Sequence, residues 1–326
     1  MPTRRAELDW IPVPAPIHAY APFAAALDPM LRAAFPGREI VCWSDPADFA
    51  AGIGEAEHLF VLSPPRGHWS RADRLRLVQC LGAGVDDVLP AEGLPERVHI
   101  ANNRGMSAEA MSEFGLALVL ALVKRLPLFV AAQQRKEWRR ALPGRAAGTT
   151  LGILGLGAIG QALAERAHAL GFRVIGTQRT PKPHPAVDEV LPASETHAVL
   201  SASDVVVMLL PLTPETRGSF GRAEFDAMRP RATLVNLARG GIVDEAALEA
   251  ALCEERIAGA IFDVFAQEPL PKESSLWDAP NFWITPHAAG GFPELLETAI
   301  ARFAENVDRV ERGEAPHNAI DRERGY

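Results

Sequence analysis

The run Leu151-Gly152-Ile153-Leu154-Gly155-Leu156-Gly157-Ala158-Ile159-Gly160 decides the fold of this 326-residue chain. An apolar strand enters a G-x-G-x-x-G turn, and a helix leaves it. Each glycine has its own physical reason. Gly155 makes the tight turn, Gly157 lets the backbone approach a pyrophosphate, and Gly160 lets the helix pack close to the strand. The exposed N–H groups and positive dipole at the helix N-terminus add attraction for an anion. Glycines alone make a weak signal, but here both flanks match and a second strand ends near Thr177, at the expected distance. The stretch therefore predicts a dinucleotide-binding βαβ unit.

Working outward, strands are predicted at Thr150–Leu154, Arg173–Thr177, Val205–Leu209, Thr233–Asn236, Gly259–Phe262 and Phe282–Ile284. Helices fit between them at Ala158–Leu170, Arg222–Ala227 and Asp244–Glu255, which completes a Rossmann domain. Before this series, Glu39–Trp43, His58–Leu62, Leu77–Leu81 and Val98–Ala101 read as apolar parallel strands, buried on both faces. Ser107–Arg125 reads as one long, largely buried helix with Ser107 as its N-cap. The amphipathic tail from Pro293 to Glu311 has no strand partner in the second series and is expected to pack on the first domain. Pro12–Pro22 reads as a Pro-rich segment. The fold class is thus α/β: two doubly wound, Rossmann- or flavodoxin-like parallel-sheet domains with an interdomain cleft. Residues 1–101 and 290–326 would form a discontinuous substrate-binding domain, and 102–289 the NAD(P)-binding domain.

Composition agrees with a soluble enzyme of two domains, at 48% hydrophobic and 23% charged residues. A net charge of −8, with arginines scattered, argues against nucleic acid as a partner. Cys42, Cys80 and Cys253 are widely spaced, which excludes a disulfide framework or zinc site and fits a reducing, cytoplasmic setting. No metal is expected. Met1–Trp10 lacks the apolar core of a secretory leader, and Gly115–Val123 is too short to cross a membrane.

The second strand of a unit selective for NAD usually ends in Asp or Glu, which binds the ribose 2′-hydroxyl. Here Gln178 and Arg179 stand there, with Lys182 close behind. No carboxylate would repel a 2′-phosphate and Arg179 would pair with one, so NADP is expected to be preferred over NAD. Three later segments each put a reactive side chain just past a strand end, the face where such sheets bind ligands. They carry Arg239, Glu268 and His287. A cation for carboxylate and carbonyl, an acid for the oxygen, and a partner for that acid are what reduction of a 2-keto acid needs. His18, His58, His99, His168, His184, His197 and His317 lack any supporting motif and read as structural or solvated.

LGAGVDDV (Leu81–Val88), GILGLGAIG (Gly152–Gly160), LPLTPETRG (Leu210–Gly218), LVNLARGGIVDE (Leu234–Glu245), DVFAQEPLP (Asp263–Pro271) and ITPHAAG (Ile284–Gly290) occur in this order. Together they make the chain resemble the D-isomer-specific 2-hydroxyacid dehydrogenases over essentially its full length. Ser63–Pro65, Arg104–Met106, Ser275-Leu276-Trp277 and the terminal Asp321–Tyr326 (DRERGY) point to the glyoxylate/hydroxypyruvate reductase branch. The resemblance implies that Arg239 binds the substrate carboxylate and polarises the keto group, that His287 is the acid–base residue, and that Glu268 holds it. It also implies that the amides of Ala83 and Gly84 take a carboxylate oxygen. Ala158 and Ile159 would contact the pyrophosphate, Pro211, Thr216 and Ala238 would line the cofactor, Asp263 would meet its carboxamide, and His287 would also lie against it. A homodimer through the Ser107–Arg125 helix is the family's common assembly. The alternatives are a phosphoglycerate or larger 2-hydroxyacid dehydrogenase, with Arg66 and Arg71 on a distal phosphate, and a non-enzymatic nucleotide-sensing corepressor. Formate dehydrogenases carry Gln at the position of Glu268, which disfavours that relation.

Overall fold

The computed structural model describes residues 14–89 and 91–322. The amino-terminal stretch read as lacking a leader, and the last four residues of the DRERGY terminus, lie outside the described residues. The chain divides into two compact units, one of residues 1–104 with 294–326 and one of residues 105–293.

In the first unit the elements run β1 (Ile17–Tyr20), α1 (Ala24–Ala34), β2 (Ile40–Trp43), α2 (Pro46–Gly52), β3 (His58–Val61), β4 (Leu77–Cys80) and β5 (His99–Ala101). All neighbours pair in parallel, in the order β2-β1-β3-β4-β5. β1 is a correction to the Pro-rich reading of Pro12–Pro22. The segment Ile-His-Ala-Tyr is buried at every position and lies inside the sheet. Pro16 and Pro22 bracket it rather than interrupt it, so every residue of the strand keeps its N–H. The carboxy-terminal helix Leu295–Glu311 belongs to this unit, as its amphipathic pattern predicts. Ala299, Ile300, Phe303, Asn306, Val307 and Val310 form its buried stripe. Phe303 packs against Phe35 and Phe60, and Arg38 grips Glu311 through both guanidinium branches at 2.7 Å each.

His18 and His58 are buried among these elements, 3% and 0% exposed. His58 Nε2 lies 3.3 Å from the Glu311 carboxylate, without the alignment of a hydrogen bond. Burial pushes both imidazoles down to about 4, because a charged ring loses its hydration there.

The second unit begins with α3 (Ala108–Val123) and α4 (Leu126–Gln134), bent by 68° to one another. The predicted single helix Ser107–Arg125 therefore ends early. Arg125 adopts a left-handed conformation, and Pro127 occupies the first turn of the new helix. Ser107 makes no side-chain cap bond. No single helix among the described residues is long and apolar enough to cross a membrane.

The series continues with β6 (Thr150–Leu154), α5 (Ala158–Ala169), β7 (Arg173–Gln178), β8 (Glu189–Pro192), α6 (Thr196–Ala202), β9 (Val205–Met208), α7 (Arg222–Ala227), β10 (Thr233–Asn236), α8 (Glu245–Cys253), β11 (Gly259–Phe262) and β12 (Phe282–Ile284). The sheet runs β12-β11-β10-β9-β6-β7-β8, every pair parallel. It has seven strands where the sequence predicts six. The additional one, β8, is an edge strand with no fully buried position, so it lacks the apolar run that marks the inner strands. Strand order reverses between β6 and β9, the switch point at which doubly wound sheets bind ligands.

Candidate active site

β6 delivers the chain to the switch point, and the three glycines there differ as their roles require. Gly155 has φ +106°, and a Cβ on it would stand 2.7 Å from the carbonyl oxygen of Leu209, beyond β9. At Gly160 a Cβ would come within 2.3 Å of the Gly155 carbonyl oxygen, so helix α5 sits directly on the turn. Gly157 has open space where its side chain would be. Ala158 beside it is exposed and Ile159 half-buried, at the first turn of α5. Backbone that is crowded below and open above is what a pyrophosphate needs, so the cradle fits a dinucleotide.

Gln178 closes β7 and works within the fold. Its Nε2 donates to the Leu156 carbonyl at 3.0 Å, and its Oε1 accepts from the Lys182 amide at 3.1 Å. The residue thus ties the glycine turn to the following loop, while the next residue, Arg179, is exposed. The positive charge of Arg179 helps hold the nearby Glu215 carboxyl below its usual range, after the larger effects of bonds from the Thr213 hydroxyl and the Glu215 amide. Thr216 is occupied too. Its hydroxyl donates to the Pro211 carbonyl at 2.7 Å and accepts from the Thr213 amide at 2.8 Å, fixing the loop after β9.

Three adjacent strands carry the reactive side chains. Asn236, Phe262 and Ile284 stand in register at the ends of β10, β11 and β12, and Arg239, Glu268 and His287 follow them on three successive loops. His287 Nδ1 lies 2.6 Å from one oxygen of Glu268, and the other oxygen accepts from the Phe265 amide at 2.9 Å. With Nδ1 engaged, Nε2 is the nitrogen left for proton exchange. Arg239 donates to the Ala238 carbonyl at 2.8 Å and is half-buried. Its loop is fixed on both sides. The Ala238 amide donates to Asn236 Oδ1, and a Cβ on Gly240 would fall 1.8 Å from the Phe265 carbonyl carbon, so the two loops touch backbone to backbone.

Asp263 lies beneath the His287 loop, 2% exposed. Its Oδ1 accepts from Thr285 Oγ1 at 2.5 Å and the Ala288 amide at 2.9 Å, and its Oδ2 from the Ala289 amide at 3.0 Å. The His287 amide donates to the Asp263 carbonyl at 2.8 Å. These bonds hold His287 at φ +52°, a conformation a non-glycine residue keeps only when its surroundings enforce it. Thr285 is a supporting residue the sequence reading missed. Its hydroxyl carries no motif beyond proximity to His287.

The other predicted residues, Ala83 and Gly84, belong to the first unit, in the loop that follows β4. Ala83 is exposed and Gly84 partly so. Among the described residues no group of three His, Cys, Asp or Glu side chains could hold a metal ion.

A doubly wound unit with a phosphate cradle at its switch point, and an imidazole–carboxylate pair near an arginine loop, defines a nicotinamide-dependent oxidoreductase. Residues 116–289 match the family model of the D-isomer specific 2-hydroxyacid dehydrogenase NAD-binding domain. The chain is 36% identical over 278 residues to glyoxylate/hydroxypyruvate reductase A of Serratia proteamaculans, covering 83% of this chain and 88% of that one. It superposes with TM-score 0.87 on an NADPH-dependent glyoxylate/hydroxypyruvate reductase of Sinorhizobium meliloti solved with NADP and sulfate, at 32% identity, covering 96% and 100% of the two chains. A D-isomer specific 2-hydroxyacid dehydrogenase of Xanthobacter autotrophicus in complex with NADPH and MES gives 0.84 at 36% identity, covering 96% and 99%. The chain belongs to the D-isomer specific 2-hydroxyacid dehydrogenases.

Proposed function

We propose that this enzyme reduces a small 2-keto acid of the glyoxylate/hydroxypyruvate type to the D-2-hydroxy acid, and catalyses the reverse, with NADPH preferred over NADH. The observation that carries the reading is the His287–Glu268 pair at 2.6 Å, held on the loops beside that of Arg239. Bound reduced nicotinamide supplies a hydride to C2 of the substrate. His287 Nε2 gives the proton to the keto oxygen in reduction and takes it back in oxidation. Glu268 fixes the ring through Nδ1 and offsets the charge on the imidazolium. Arg239 pairs with the carboxylate and draws electron density onto the keto oxygen. The amides of Ala83 and Gly84 offer further donors to a carboxylate. Gly155, Gly157, Ala158, Ile159 and Gly160 hold the pyrophosphate, Pro211, Thr216 and Ala238 line the dinucleotide, and Asp263 receives its carboxamide.

Two observations support the narrower choices. Gln178 and Arg179 rather than a carboxylate stand at the end of β7, and the exposed Arg179 would pair with a 2′-phosphate; one charge-assisted bond contributes about 1.5–3 kcal/mol. Of Arg66 and Arg71, the pair a distal phosphate could use, Arg71 already donates to the Ala50 carbonyl at 2.7 Å, which favours the small substrate. The Sinorhizobium meliloti reductase was solved in complex with NADP and sulfate, which agrees with a phosphorylated dinucleotide as cofactor. A homodimer through the helix Ser107–Arg125 belongs to the same reading and is to be checked by sedimentation velocity. The free thiols fit a cytoplasmic enzyme.

A panel of glyoxylate, hydroxypyruvate, pyruvate and 3-phosphohydroxypyruvate, run with NADPH and with NADH, tests the proposal. The highest kcat/KM is expected for the first two with NADPH. A clear preference for NADH, or for the phosphorylated acid, would overturn the corresponding part.

A further inference from the structure

The loop after β4 is shaped by two buried asparagines that no motif singles out. Asn102 and Asn103 follow β5 and are 1% and 3% exposed. Asn103 Nδ2 donates to the carbonyls of Cys80 at 3.2 Å and Leu81 at 2.9 Å, and its amide to the Gly82 carbonyl at 3.0 Å. Asn102 Nδ2 donates to the Ala83 carbonyl at 2.6 Å. Four consecutive carbonyls are therefore drawn toward one pair of side chains and one amide. In a trans peptide the C=O and the following N–H point in opposite directions. Fixing the carbonyls of Leu81, Gly82 and Ala83 thus turns the amides of Gly82, Ala83 and Gly84 away from the asparagines. None of those amides donates to a backbone carbonyl among the described residues. Successive backbone N–H groups facing one side form a concavity that suits an anion.

The asparagines are themselves held. Asn102 Oδ1 accepts from the Arg104 amide at 3.1 Å, which fixes which end of its side chain donates to the loop. Asn318, beyond the carboxy-terminal helix, donates from Nδ2 to the carbonyls of Asn102 at 3.3 Å and Arg104 at 3.1 Å. A polar support inside the unit therefore sets the amide row before any ligand arrives.

We propose that Asn102 and Asn103 are positioning residues that preform the amides of Gly82, Ala83 and Gly84 as a seat for the substrate's carboxylate. The inference rests on the 2-keto-acid reading above. Its force is preorganisation. Without the asparagines the peptides rotate, and the carboxylate must order them on binding. Since that grip acts on the ground state and transition state alike, the loss falls on KM rather than kcat.

The test is to prepare Asn102→Ala, Asn103→Ala and Ala83→Pro, the last of which deletes one amide donor from an exposed position without touching the asparagines. Each is assayed for glyoxylate kcat and KM, for NADPH affinity by fluorescence titration, and for oxalate affinity by calorimetry on the NADP-loaded protein. The expected result is a KM raised about ten-fold or more and oxalate binding weakened by a similar factor, with kcat and NADPH affinity within about three-fold. Folded variants that keep KM and oxalate affinity within two-fold of wild type would overturn it, as would a fall confined to kcat. If both asparagine variants fail to fold, Ala83→Pro decides by the same criteria. If wild type turns over no 2-keto acid, the proposed function fails separately. Oxalate affinity still judges the seat, weakened in the variants if it is right and unchanged if it is wrong.

Discussion

His287 combines an exposed ring with a tightly determined backbone. Its φ of +52° is enforced by Asp263, which binds the amides on its C-terminal side, and by Thr285, which completes the carboxylate's partners. The ring is then aimed by Glu268, whose second oxygen is fixed by Phe265. His287→Ala is expected to lower kcat by about 10²–10⁴-fold while leaving NADPH affinity nearly intact. Glu268→Gln keeps the shape but loses the charge opposite the imidazolium, so a smaller loss is expected, with an altered pH profile of kcat/KM. Steady-state kinetics over pH checks both, and wild-type turnover in His287→Ala would refute the assigned role. At this scale the loops that carry Arg239, Glu268 and His287 were legible because each holds a distinctive motif past a strand end. Thr285, Asn102 and Asn103 were not, because a residue that acts by binding backbone announces itself only once the chain is folded. Gln178 shows the same limit, since its bonds to Leu156 and Lys182 are carried by no motif.

Among the elements, the inner strands other than β1 were legible almost to the residue, since parallel strands covered on both faces are continuously apolar. β10, β11 and β12 fall where the sequence predicts them. β1 was hidden by its flanking prolines and β8 by its polarity at the sheet edge, while the break between α3 and α4 depends on one left-handed arginine. The buried histidines of β1 and β3 give the first unit a definite acid response. Their folded-state values of about 4 lie below the ordinary 6.5, so between those limits the unfolded chain binds more protons. Stability should therefore fall as pH drops from 6.5 toward 4, by on the order of 3 kcal/mol per histidine once the shift is fully expressed. Both rings face charges that move with pH or oppose protonation: Glu55 and Arg74 near His18, and Glu311, Glu57, Arg76 and Arg38 near His58. Thermal melts of wild type and His58→Gln across this range check the effect. A slope unchanged by the substitution would remove His58 from the account.

For the whole molecule, the architecture of two parallel sheets was readable from alternating apolar runs and helices, because each βα step carries its own period. The carboxy-terminal helix Leu295–Glu311 was readable too, since its buried residues form one stripe of an amphipathic pattern. Family membership narrows the chemistry to reduction or oxidation at C2 of a hydroxy acid, and the D-isomer specificity of the family sets its stereochemistry. The most direct measurement is to supply purified enzyme with NADPH and hydroxypyruvate, follow NADPH consumption, and resolve the glycerate formed by chiral chromatography. The expected result is stoichiometric D-glycerate, lost in His287→Ala. L-glycerate, a racemic product, or no turnover with either hydroxypyruvate or glyoxylate would contradict it.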